Sequence, residues 1–295
     1  MLTTLAHVGR GLLMGTADVI PGVSGGTVAL ILGIYERFVG SVGAGASGAF
    51  HLVRFDLPVA RRRFGEVEWG LVLPLGVGIV TALAIGSRVI PVLLDTYPEP
   101  VRALFFGLIV GSLAIPFRRI EQVGRTEWLL IGGCSVLAFV LVGLPPREIA
   151  DPPLYLVFPL AAIAICAMIL PGVSGAFLLL AFGIYEATLE ALSHFDLPYI
   201  VTFAAGAALG LGLFSQVLRY LLDHRHATTM AALVGLMAGS LRALWPWLAE
   251  DRGLLAPPDA ATFLGLAALA VAGVVIVSVV AWAARPRVEG GAQPG

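Results

Sequence analysis

The chain contains no lysine. All 18 of its basic residues are arginine, and 19 acidic residues bring the net charge to −1. No basic excess is available to track a phosphodiester backbone, so nucleic acid is excluded as a partner. Cysteine is almost absent. Cys134 and Cys166 both lie in apolar segments, which gives neither a disulfide framework nor metal-ligand spacing, and they read as ordinary buried thiols. The five histidines show no ligand pattern either, so no metal and no cofactor is expected. Charge of either sign is scarce: 13% of residues are charged and 58% hydrophobic, with a mean hydropathy of +0.94. Soluble domains carry about twice that charge. Composition therefore predicts an all-α integral membrane protein. The N-terminal apolar run is interrupted by Asp18 and Pro21 and is followed by no small-residue cleavage site, so it does not read as a cleaved signal.

What the chain does have is a pair of matching interruptions. Pro21-Gly22-Val23-Ser24-Gly25-Gly26-Thr27 lies inside an apolar run that closes with Gly33-Ile34-Tyr35-Glu36. Pro171-Gly172-Val173-Ser174-Gly175 lies inside another that closes with Gly183-Ile184-Tyr185-Glu186. Aligned without gaps, the two sixteen-residue stretches share ten residues. Proline lacks a backbone donor, and glycine adopts angles that other residues resist. In hydrocarbon each freed backbone group needs a partner, so a break persists only against protein or a wet cavity. Two matching breaks point to a paired polar site within the membrane.

Six further segments are long and apolar enough to span: 69–94, 101–117, 128–144, 199–222, 227–248 and 261–284. Residues 37–66, with five arginines and a middle rich in small residues, read as a polar loop. The duplication extends beyond the breaks. Gly107-Leu108-x-x-Gly111-Ser112-Leu113 recurs as Gly235-Leu236-x-x-Gly239-Ser240-Leu241, and Phe55-Asp56-Leu57-Pro58 as Phe195-Asp196-Leu197-Pro198. The expected organisation is one membrane domain over 1–295, with repeat one at about 1–145, repeat two at about 153–285, and a disordered tail at 286–295. If each broken segment is a re-entrant hairpin, each half crosses three times and the second half is inverted. Arginine-rich regions then fall on the cytoplasmic side with both termini, as the positive-inside tendency requires. The fold expected is two inverted repeats, each a broken-helix hairpin plus three transmembrane helices, as in many transporters. Oligomeric state is not legible in the sequence.

Candidate chemistry centres on the breaks. A half-helix starting near Ser24 has free N–H groups in its first turn. Ser24 or Thr27 can cap it, and Gly25 and Gly26 allow a ligand close to the backbone, an arrangement that favours an anion. Pro171, Gly172, Ser174 and Gly175 offer the same at the second break. The plainer alternative is that small residues merely allow tight helix packing. Asp18 is an acid within apolar sequence, and Glu36 and Glu186 close the two motifs. All three are candidates for proton coupling or gating, against the alternative of solvated helix-end charges. Arg88, Arg102 and Arg242 lie in or near spans, and arginine presents a planar fork that suits phosphate. Arg88 and Arg102 also fit as interfacial anchors.

The stretch from Gly15-Thr16-Ala17-Asp18 through Pro21 to Thr27, followed by Leu30-Ile31-Leu32-Gly33-Ile34-Tyr35-Glu36, resembles the PopT-type polyprenyl-phosphate transporters of bacteria. The second Pro-Gly-Val-Ser-Gly and Phe105-Phe106-Gly107-Leu108 resemble them too. The resemblance covers nearly the whole chain. It implies a protein of the bacterial cytoplasmic membrane that returns undecaprenyl phosphate, a cell-envelope lipid carrier, across the bilayer. Polyprenyl-phosphate lipid and the bilayer are then its partners, with the proton as the candidate coupling ion. Ala176-Phe177 replaces Gly26-Thr27 in the second motif, so the two breaks need not bind alike. Two other functions remain open. One is a small-anion transporter or channel. The other is an undecaprenyl-diphosphate phosphatase, whose Pro-Gly-x-Ser stretch is followed by an arginine; Gly25 and Gly175 stand there instead, removing the nearest stabiliser of phosphoryl-transfer charge.

Overall fold

The structure is a computed structural model. It describes residues 2–19, 24–145, 148–249 and 251–283, without the side chains of residues 2, 87, 88, 90, 91, 94 and 95. Pro21, Gly22 and the 286–295 tail therefore lie outside the described residues, as does the side chain of Arg88. Among the described residues the chain is helical, with one isolated bridge between Leu248 and Leu254.

The first break separates α1 (Leu2–Val19) from α2 (Gly25–Ile31), and α3 (Tyr35–Val53) and α4 (Leu57–Gly65) follow. Next come α5 (Trp69–Thr96), α6 (Pro98–Phe117) and α7 (Arg125–Val142). The second break separates α8 (Leu154–Ile169) from α9 (Gly175–Phe182), followed by α10 (Tyr185–Ser193). The chain ends with α11 (Leu197–His224), α12 (His226–Ser240), a 3-10 turn (Leu241–Leu244) and α13 (Ala260–Ala283). Six of these helices, α5, α6, α7, α11, α12 and α13, are long and apolar enough to cross a membrane. A seventh crossing is counted only if α9 and α10, bent by 104°, act as one span.

Two sequence expectations need correction. Residues 37–66 are not a loop but most of α3 and α4. The small residues of 41–49 let α3 lie against α11, where Gly43 approaches the Ser215 carbonyl and Gly212 approaches Ala46. Asp56 then caps α4 by accepting from the Val59 N–H. The expected span 227–248 ends early, because Pro246 disfavours helical angles at Trp245, which is extended (ψ 125°).

Helix pairing follows the duplication. α1 packs along α5 and α8 along α11, while α6 packs along α13 and α12 along α7. Glycines set these distances: a Cβ on Gly107 would lie 1.8 Å from the Ala270 carbonyl oxygen, and one on Gly239 2.2 Å from that of Ser135. Both motifs end alike, with Gly33 (φ 69°) and Gly183 (φ 82°) in left-handed backbone that closes α2 and α9. Phe55 (φ 59°) and Phe195 (φ 55°) share a second such turn. The short helix α2 sits at the centre of the core, with Ala29 and Leu30 buried among Met14, Tyr35, Leu71, Leu75, Leu218 and Met230. Long outer helices expose apolar side chains such as Leu129, Val271 and Trp282, a surface suited to lipid.

Candidate functional site

The two breaks meet. Ser24 is fully buried, and its extended backbone (φ −130°, ψ 136°) marks it as the cap of α2. Its Oγ accepts from the Gly26 N–H at 3.1 Å and donates toward the carbonyls of Met168 (3.2 Å) and Leu170 (3.1 Å) across the junction. Thr27 Oγ1 accepts from the Gly172 N–H at 2.9 Å. Gly26 lies so close to the second segment that a Cβ there would stand 2.6 Å from the Ile169 carbonyl oxygen. The first break thus offers a hydroxyl proton, shared between two acceptors, to carbonyls freed at the end of α8, where backbone in hydrocarbon needs a partner.

The donors of Gly25, Gly26 and Thr27 at the start of α2 are engaged within the protein. Asp18 Oδ1 accepts from the Gly25 N–H at 2.7 Å, Ser24 Oγ takes Gly26, and the Ser24 carbonyl takes Thr27 at 2.9 Å. The anion at the start of α2 is therefore the chain's own carboxylate. At the second break Ser174 caps α9 by accepting from Phe177 N–H at 3.4 Å. Met168 stands there as Asp18 stands at the first. A Cβ on Gly25 would lie 2.5 Å from Asp18 Oδ2, and one on Gly175 2.4 Å from Met168 Cγ. A methionine stem accepts no such bond. Among the described residues nothing accepts from the Gly175 or Ala176 N–H.

Arginines gather around the 245–259 loop, and one of them lies against this second half-helix. The Arg252 guanidinium lies 4.3 Å from the centre of the Phe177 ring, held there by a left-handed turn (φ 64°). Arg102 reaches the same loop, donating to the Pro246 carbonyl at 3.4 Å. Arg242 donates to the carbonyls of Phe139 and Arg252, both at 3.2 Å, and stacks on the Phe139 ring at 4.6 Å. It thereby fastens the 245–259 loop to the end of α7. Among the described residues none of these three arginines pairs with a carboxylate. The result is a basic group around the 245–259 loop, one member of which, Arg252, lies over the Phe177 ring of the half-helix that carries the two free N–H groups.

The other sequence candidates stand apart. Pro171 is buried at the junction, and Glu186 is exposed on α10. Glu36 pairs with Arg119 at 3.0 Å and faces His226 at 3.4 Å, on the face of the molecule where Arg37 pairs with Glu68. There the Arg37 guanidinium holds the Glu68 carboxyl below its usual range. Sequence reasoning missed Arg252. It stands in a loop whose other charges are acidic, and no spacing links it to Phe177.

Comparison with known proteins fits this geometry. Residues 14–256 match the family described as undecaprenyl phosphate translocase-like. A polyprenyl-phosphate transporter of Vibrio cholerae is 38% identical over 252 residues, covering 81% of this chain and 76% of that protein. A polyprenyl-phosphate transporter of Staphylococcus aureus is 31% identical over 256 residues, 81% of this chain and 85% of that one. No solved structure matches. Because the matched residues take in both breaks, their junction and the arginine group, the chain belongs to the undecaprenyl phosphate translocase-like family.

Proposed function

We propose that this chain carries polyprenyl phosphate, undecaprenyl phosphate foremost, between the leaflets of the bacterial cytoplasmic membrane. Support comes from the family and from one observation of the site: among the described residues the Gly175 and Ala176 N–H groups have no acceptor, and the Arg252 guanidinium lies over the Phe177 ring of the same half-helix. A phosphate monoester carries about −1.5 to −2 charges at pH 7, and its unassisted transfer through hydrocarbon would cost tens of kcal/mol. An arginine-lined path open to lipid removes most of that cost while the polyprenyl tail stays in the bilayer.

The transport frame we propose is two inverted halves with re-entrant hairpins. Contacts at the helix ends support it. Arg37–Glu68, Arg119–Glu36, His226–Glu36 and Arg219–Glu66 gather one end of α5, α6, α11 and α12 on a single arginine-rich face. Arg102 and Arg242 bind the 245–259 loop at the opposite face. α5 then leaves the arginine-rich face and its counterpart α11 arrives at it, the sense expected of an inverted pair. That face is cytoplasmic by the positive-inside tendency. Cysteines placed at residues 190 and 224 test this: impermeant reagent reaches 190 from outside and 224 only from inside.

Inward movement of the anion against a negative interior costs about 2.3 kcal/mol per charge per 100 mV. We assign Asp18 as the proton carrier that offsets it. An imposed pH gradient is expected to drive reconstituted inward transport, and Asp18→Asn to remove the response. Transport indifferent to both overturns the coupling. The transport reading itself is tested by surface labelling of outward-facing polyprenyl phosphate in cells with and without the protein; an equal outer pool overturns it. Phosphate release from undecaprenyl diphosphate by the pure protein would favour an enzyme instead.

A further inference from the structure

A cavity of about 760 Å³ opens at the arginine-rich face, away from the junction. Its charged lining comes from Arg10, Arg37, Arg118 and Arg119, and among the described residues no acid lines it. Arg37 and Arg119 are each neutralised by one carboxylate, Glu68 and Glu36, which face out of the cavity into a neighbouring cleft. Arg10 bonds His7 (3.1 Å), and among the described residues neither Arg10 nor Arg118 has a carboxylate partner. Two guanidinium charges are thus left uncompensated, close to the charge of a phosphate monoester.

The rest of the lining is apolar. Gly111, Ala114 and Ile115 of α6, the last two one turn before Arg118 and Arg119, face the cavity with Val277, Ala281 and Trp282 of α13, helices whose outer sides carry exposed apolar residues. The floor is the end of α2, at the left-handed turn Gly33. A cavity lined by guanidinium groups together with apolar side chains fits an amphiphile better than a free ion. A soluble anion would need no such lining.

We propose that this cavity is the inner-leaflet station for a lipid monophosphate: Arg10 and Arg118 hold the phosphate, and the chain lies along α13 past Trp282. The proposal rests on the transport reading above and adds a second site to it, at the far end of α2 from the junction. It also gives a use to Arg10 and Arg118, which have no carboxylate partner among the described residues.

The test uses the full chain in lipid nanodiscs, with farnesyl phosphate, farnesol and inorganic phosphate as probes. Ser278→Cys places a thiol in the cavity wall. Farnesyl phosphate is expected to slow its maleimide labelling, with farnesol and inorganic phosphate at equal concentration ineffective. Arg10→Gln with Arg118→Gln is expected to weaken farnesyl phosphate binding by roughly tenfold or more, the scale of losing charge-assisted phosphate contacts. Binding that neither protects the introduced thiol nor needs Arg10 and Arg118 overturns the site and leaves the transport reading standing. Absence of any binding of farnesyl phosphate by the wild type overturns both. Equal protection by inorganic phosphate assigns the cavity to the free ion and overturns the lipid source.

Discussion

The two breaks share Pro-Gly-Val-Ser-Gly, yet they are chemically unlike. At the first, Asp18 occupies the start of α2 and takes the Gly25 N–H. At the second, Met168 occupies the same place beside Gly175 and takes nothing, while Arg252 approaches over Phe177. The Gly25 N–H at the first break is thus taken by a side chain of its own segment, while the Gly175 N–H at the second has no acceptor among the described residues. The duplicated backbones match, and the side chains beside them differ.

The comparison can be broken at the joint itself. Gly172 sits at φ 84° with the Met237 Cα 2.6 Å from where its Cβ would be. Gly172→Ala meets both backbone strain and a clash with main chain, so a loss of about 3 kcal/mol or more is expected, read as a lower unfolding temperature. Gly9→Ala, with nothing within 4 Å, is the matched control and should leave it unchanged.

Met168→Asp makes the second break resemble the first. A carboxylate at Gly175 competes with the phosphate for the same donors, and transport should fall on the order of a hundredfold, since like charges brought together cost several kcal/mol. Folded yield measured alongside separates this from misfolding.

Arg252→Gln removes the charge over Phe177 while keeping a donor. Transport is expected to drop roughly tenfold, with Arg252→Lys intermediate because it keeps charge without the planar fork. An unchanged rate would take Arg252 out of the site.

The smallest effect is expected at the first break. Asp18→Ala leaves the Gly25 N–H without a partner and should cost about 1–3 kcal/mol of stability. Asp18→Asn retains an acceptor and should restore most of it, while still abolishing the response to a pH gradient.

Much of the architecture was legible in the sequence. Scarce charge and long apolar runs predicted the spans, and five of the six expected segments match helices to within a few residues. The breaks were legible because proline and glycine act locally. Residues 37–66 were misread, since arginine and small residues look the same in a loop as on a helix packed against α11. The end of the helical run at Leu244 was written in Pro246 but outweighed by the apolar run around it. At the site, Ser24, Thr27, Gly172 and Asp18 were all named from sequence and the structure brings them together. It gives Arg242 to backbone carbonyls and adds Arg252.

By itself the sequence determined a membrane protein with a duplicated pair of broken segments, because hydropathy, proline and glycine constrain the chain within a few residues of where they stand. Only the tertiary structure decided which donors are spent and which are spare. Hydrogen bonds such as Ser24 to Leu170 and Thr27 to Gly172 join residues nearly 150 positions apart, and the approach of Arg252 to Phe177 depends on the path of a loop. Such pairings follow from packing of whole helices, which no local pattern encodes.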